Sequence, residues 1–129
     1  MNKILVEVSV GELLDKISIL EIKKEKIKES EKLQFINDQY KVLKYQLDKN
    51  VKFDEKIDKL FQSLKEINAK LWIIEDDKRL CEKNSDFSEK FIKLSRDVHF
   101  LNDDRGKIKL EINHHAGSKI KEIKKYTSY

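Results

Sequence analysis

No proline interrupts this 129-residue chain, and it holds only three glycines. These two residues supply the fixed and positive backbone angles that tight turns need, so their scarcity disfavours a many-stranded, turn-dense β protein. Long uninterrupted helices are the expectation. The length suits one domain with one core, taken as residues 1–129. Charged residues make up 40% of the chain, yet the apolar class, at 39%, still supplies a folded core.

The single cysteine, Cys81, excludes an internal disulfide. No apolar run approaches the roughly 18 residues of a membrane span, and the N-terminus lacks a signal-peptide pattern, so a reducing, cytoplasmic setting and no membrane partner are expected. The net charge of +4 comes from thoroughly mixed signs, which make little of the one-sided field that steers nucleic acid. Lys119, Lys121, Lys124 and Lys125 concentrate positive charge at the end of the chain. They read as a solvated terminus and give no specific nucleic-acid signal.

Residues Lys3 to Val10 alternate weakly and are rich in Ile, Leu and Val, as in a short strand or extended arm. Ser9 with Glu12 forms a capping-box pattern, opening a helix that runs to about Glu29. Leu13, Leu14, Ile17, Leu20 and Ile27 share one face of it, with Ile19 and Ile22 on the other side, so this helix is expected to be covered twice. After a break near Ser30, Leu33, Ile36, Tyr40, Leu43 and Leu47 stripe a second helix. Asp54 caps a third that ends near Asn84, and a fourth runs from Phe87 to Gly117.

The predicted fold is all-α: an antiparallel, up-down-up-down four-helix bundle with two long and two shorter helices. At 1.5 Å per residue the last two helices overhang the first two by roughly 20 Å. Trp72, Ile74, Phe91, Leu94 and Val98 lie on that overhang, and their burial predicts a homodimer.

Only three of the 28 cationic side chains are arginine, and Arg79 and Arg105 interrupt apolar stripes while Arg96 points away. Arginine in a stripe suggests a use for its planar, multi-donor fork. Other polar interruptions are Glu21 and Lys24 on helix 1, Asn68, Glu75 and Glu82 on helix 3, and Asn102 on helix 4. Counting from the turns places Glu21 level with Arg105, and Glu25 level with Asn68 and Asn102. A buried Glu21–Arg105 pair oriented by the two amides is expected, with Glu75 and Arg79 as a second pair at helical spacing. Such a cluster either fixes the bundle or receives a small polar or anionic ligand.

Glu75, Asp76 and Asp77, taken with Glu21 and Glu25, raise the possibility of a divalent metal. The three adjacent carboxylates diverge on a helix, which favours a solvated acidic face and no metal site. His99, His114 and His115 read as exposed, Cys81 as structural, and Tyr40, Tyr45, Trp72, Phe91 and Phe100 as core or interface anchors.

The blocks VSVGELLDKISILEIKKEKI, LWIIEDDKR from Leu71 and FIKLSRDVHFLNDDRGKIKLEIN from Phe91, together with the terminal Tyr129, resemble an uncharacterised bacterial family of small all-helical proteins. That family has no established activity, and the resemblance assigns no catalyst. A looser likeness is to the all-helical nucleotide pyrophosphohydrolases, in which Glu21 and Glu25 would match one carboxylate pair and Glu75 a later one. The closely spaced double-glutamate motif of those enzymes is absent. The leading expectation is therefore a dimeric cytoplasmic binding or interaction protein without a cofactor, and the alternative a Mg-dependent nucleoside triphosphate pyrophosphohydrolase.

Overall fold

A computed structural model describes residues 3–118 and Ser128. They form four helices, α1 (Val10–Lys26), α2 (Ser30–Asn50), α3 (Glu55–Lys83) and α4 (Glu89–Ala116). No strand occurs among the described residues; Lys3 to Val8 form an exposed arm with neither helix nor strand geometry. Lys119, Lys121, Lys124, Lys125 and Tyr129 lie outside the described residues.

The helix boundaries follow from local chemistry. The Ser9 hydroxyl accepts the Glu12 amide at 3.0 Å, and an Asp54 carboxylate oxygen accepts the Ile57 amide at 2.9 Å. Each satisfies a donor that the first turn of a helix leaves without a backbone partner. Gly117 ends α4 in the left-handed region at φ 68°, where its amide turns back to carbonyls of the last turn.

α1 is the hub. It packs against each of the other three helices, and α3 packs against α4. Its buried residues therefore surround much of its circumference, from Leu13, Leu14 and Ile17 to Gly11, Asp15, Ser18 and Ile22. α2 has no close backbone packing against α3 or α4 among the described residues. An ideal four-helix square needs such contact between its second and third helices. Here α1, α3 and α4 form a central triple, with α2 laid on α1.

The apolar core joins Leu13, Leu14 and Ile17 of α1 to Leu47 of α2, Ile57, Phe61 and Leu64 of α3, and Ile112 of α4. It gathers at one end of the long hairpin. α3 and α4 run 29 and 28 residues against 17 for α1, so their far halves extend past it. Trp72, Ile74, Phe91, Leu94 and Val98 are half-buried there, whereas Ile73, Leu80, Phe87, Ile92 and Phe100 in the same far part are exposed. No described helix is long and apolar enough to cross a membrane.

Candidate ligand-binding groove

Asp15 is the centre of the polar interior. It sits on α1 with 1% of its surface exposed, between α3 and α4. One carboxylate oxygen accepts the Arg105 Nε at 2.9 Å and the Asn68 amide at 2.9 Å, and the other accepts Arg105 Nη2. This is the two-point fork that a guanidinium makes and an ammonium cannot. Ser18, one turn on, donates to the Asp15 carbonyl at 2.7 Å and accepts from the Asn68 amide at 2.8 Å.

Two further contacts continue along the α1/α4 seam. Lys109 reaches Glu12 at 2.8 Å, and Asn113 accepts the Gly11 amide at 2.7 Å. Arg105, Lys109 and Asn113 are successive residues at four-residue spacing, so one face of α4 supplies every group in this ladder. A slip of α4 by one turn would break all three contacts. No buried side-chain nitrogen or oxygen among the described residues lacks a partner.

Burial pushes the Asp15 carboxyl upward, but the hydrogen bonds from Arg105 and Asn68 and the charges of Arg105 and Lys109 outweigh it and hold the group below its ordinary value. A lowered folded value means that ionised Asp15 stabilises the fold fully above the unfolded value of 3.8. That contribution is lost as pH falls through the folded value. Urea midpoints measured between about pH 6 and pH 2 should therefore fall less steeply for Asp15→Asn than for the wild type. Parallel curves would assign the acid sensitivity to other groups.

Helical counting pairs Arg105 with Glu21, whereas in the structure the carboxylate it grips is that of Asp15. Glu21 and Glu25 instead accept from the Lys65 ammonium at 3.1 and 3.0 Å. Burial lowers the Lys65 pKa, yet the hydrogen bonds to Glu25 and Glu21 and their two charges raise it overall. Asn68 joins the network through Asp15 and Ser18, and Asn102 is half-buried on α4. Glu75 and Arg79 are both exposed and form no ion pair with each other. Arg105 within an apolar stripe calls for a buried acid nearby, but the phase of the aliphatic stripes does not point to Asp15.

Four of the expected residues meet in one depression. Asn68, Glu75, Arg79 and Arg105 line a groove of about 430 Å³ between α1, α3 and α4, with Asp76 beside them. Ile19, Ile22, Leu71 and Trp72 supply its apolar walls. Asn68 and Arg105 are fixed by Asp15, so the groove has a rigid floor, while Arg79 and Glu75 stand one helical turn apart along α3. Among the described residues, no three His, Cys, Asp or Glu side chains are grouped so as to hold a metal ion.

Fold and site together define an all-helical protein with a polar-floored groove beside its central helix. The chain belongs to DUF6165, a family of unknown function whose model matches residues 4–129. No curated protein and no solved structure gives a significant match.

Proposed function

We propose that this protein is a dimeric binding protein whose groove takes a small polar ligand with an apolar face. The carrying observation is the meeting of Arg79, Glu75 and the fixed Arg105 and Asn68 with Trp72 in one depression. Two guanidinium groups and two carboxylates line it, so a molecule bearing both an anionic group and a donor is matched at each end. The flat indole and aliphatic walls suit the remainder of such a ligand. Asp15 serves this function indirectly, by holding Arg105 and Asn68 in place.

Arg79 is the most informative residue to change, because it is exposed and takes no part in the buried network. A thermal-shift screen of amino acids, nucleotides, sugar nucleotides and divalent metals should yield a compound that raises the Tm of the wild type. Arg79→Ala should leave the unliganded Tm within about 2 °C, as for an ordinary surface substitution, and weaken that compound by at least about tenfold, as for loss of one charge-assisted contact. An unchanged affinity in Arg79→Ala would place the ligand elsewhere. The divalent-metal wells, with and without nucleoside triphosphates, examine the pyrophosphohydrolase alternative in the same experiment.

A further inference from the structure

α2 carries two apolar faces. On the first, Ile36 and Leu47 are buried and Tyr40 and Leu43 pack against the core, where α2 lies on α1. At 100° per residue, Phe35, Val42 and Tyr45 fall roughly 140° around the helix from that stripe. They are 72%, 62% and 61% exposed. Single exposed apolar side chains are ordinary on a protein surface, but these three share one line along the helix. They occupy a, a and d positions of a heptad, the seam by which two helices pack. Its other d, d and a positions are Glu31, Asp38 and Lys49, all exposed.

We propose that α2 packs antiparallel against α2 of a second copy of this chain through this seam. The proposal rests on the dimeric reading above and sets its contact on α2 instead of the α3/α4 overhang. Charge order along the seam decides the direction. A two-fold axis at the level of Tyr40 sets Glu31 opposite Lys49 of the second copy, Phe35 opposite its Tyr45, and Asp38 opposite its Val42. Each layer then occurs twice, giving two opposite-charge layers at the ends and two aromatic layers inside them. A parallel pair would instead face Glu31 with Glu31, Asp38 with Asp38 and Lys49 with Lys49, three like-charge layers.

The remaining contacts of these residues are compatible with that pairing. Asp38 accepts the Gln34 amide at 3.0 Å on its own helix, and the Lys49 ammonium lies 5.9 Å from the Tyr45 ring centroid, beside the aromatic layer. One polar residue inside an apolar seam costs stability and fixes register, the part Asp38 takes here. From Glu31 to Lys49 the seam is about 27 Å long. α2 has no close backbone packing against α3 or α4 among the described residues, so a helix can lie along its outer side at an ordinary interaxial distance of about 9 Å. An interface one helix wide belongs to the small class, below about 1,200 Å², which fits a concentration-dependent dimer.

Sedimentation equilibrium of the full chain, from micromolar to millimolar concentration, tests the contact. Val42→Asp changes an exposed position, so its Tm at low concentration should stay within about 2 °C of the wild type while the dimer Kd rises at least about tenfold. Glu31→Lys and Lys49→Glu should each raise the Kd about tenfold, and the two together in one chain should return it to within about threefold of the wild type. Both reversals also oppose the dipole of α2, so restoration in the doubly changed chain separates pairing between copies from weakening of the helix. Weakening by the single changes without that restoration would overturn the antiparallel register. A dimer indifferent to all three seam positions would overturn the α2 contact and leave the dimeric reading standing. Wild-type protein that stays monomeric at millimolar concentration would overturn both. The Arg79 test of the ligand groove is independent of all these outcomes.

Discussion

Asp15→Ala should lower the unfolding free energy by about 3 kcal/mol, the lower end of the range for breaking a buried pair. The lower end applies because the Arg105 side chain retains 28% exposure, against 2% for Asp15. The substitution strips Arg105 of its carboxylate and removes the acceptor of the Asn68 amide in one step. For a domain of this size the loss corresponds to a fall in Tm of about 10 °C. Glu21→Ala and Glu25→Ala should each cost no more than about 0.5 kcal/mol, since either leaves Lys65 its other carboxylate near solvent. Urea unfolding of the three variants separates these cases. Equal losses would mean that the Asp15 network contributes no more than a surface ion pair.

Gly11→Ala should also destabilise, against the usual direction for this exchange inside a helix. Helix propensity alone favours alanine by about 1 kcal/mol. A methyl group at Gly11, however, would meet the Lys109 carbonyl oxygen at 2.6 Å and Asn113 Oδ1 at 2.9 Å. The first of these is backbone, which cannot swing away, so α1 and α4 must separate at the rung beside Asp15. A net loss of about 2 kcal/mol is expected, in the range found for overpacked cores. Gly117→Ala provides the contrast: its added methyl meets nothing within 4 Å, and only the left-handed backbone at φ 68° resists it, at about 1 kcal/mol. A Gly11→Ala protein more stable than the wild type would show that the seam yields easily.

The helices were legible because their ends carry local signals. Ser9, Asp54 and Gly117 act where their side-chain or backbone chemistry predicts, and nothing in between breaks the helices. The packing of whole helices was less legible. Counting residues from turns assumes parallel axes and a square arrangement, and it set Glu21 level with Arg105. Asp15 occupies that level instead, six residues earlier, a displacement of about 9 Å along α1. Periodicity identifies which face of a helix is apolar without fixing how far the helix slides along its neighbour, or whether α2 reaches α3.

Asp15 was also hidden by its own surroundings. The polar interruptions that periodicity singles out share the aliphatic phase of Leu14 and Ile17, and Asp15 lies outside that phase. The second buried side of α1 carries Gly11, Asp15, Ser18 and Ile22 at spacings of four, three and four, a stripe of small and short polar residues. Such a stripe looks solvated in a hydropathy reading. It nevertheless allows close approach of a neighbouring helix, as the amide of Gly11 against Asn113 demonstrates. Ile19 and Ile22 on that side were the available signal, since they showed that it had to be covered.

Trp72 is the sole tryptophan and lines the groove, so its emission reports on the site directly. Titrating the strongest compound from the thermal-shift screen into wild-type protein should give a saturable change in Trp72 fluorescence, with the same midpoint as the thermal effect. In Arg79→Ala the midpoint should move to at least about tenfold higher concentration. An emission change with equal midpoints in the two proteins, or a stabilising compound that leaves Trp72 unaffected, would contradict the assignment of this groove as the binding site.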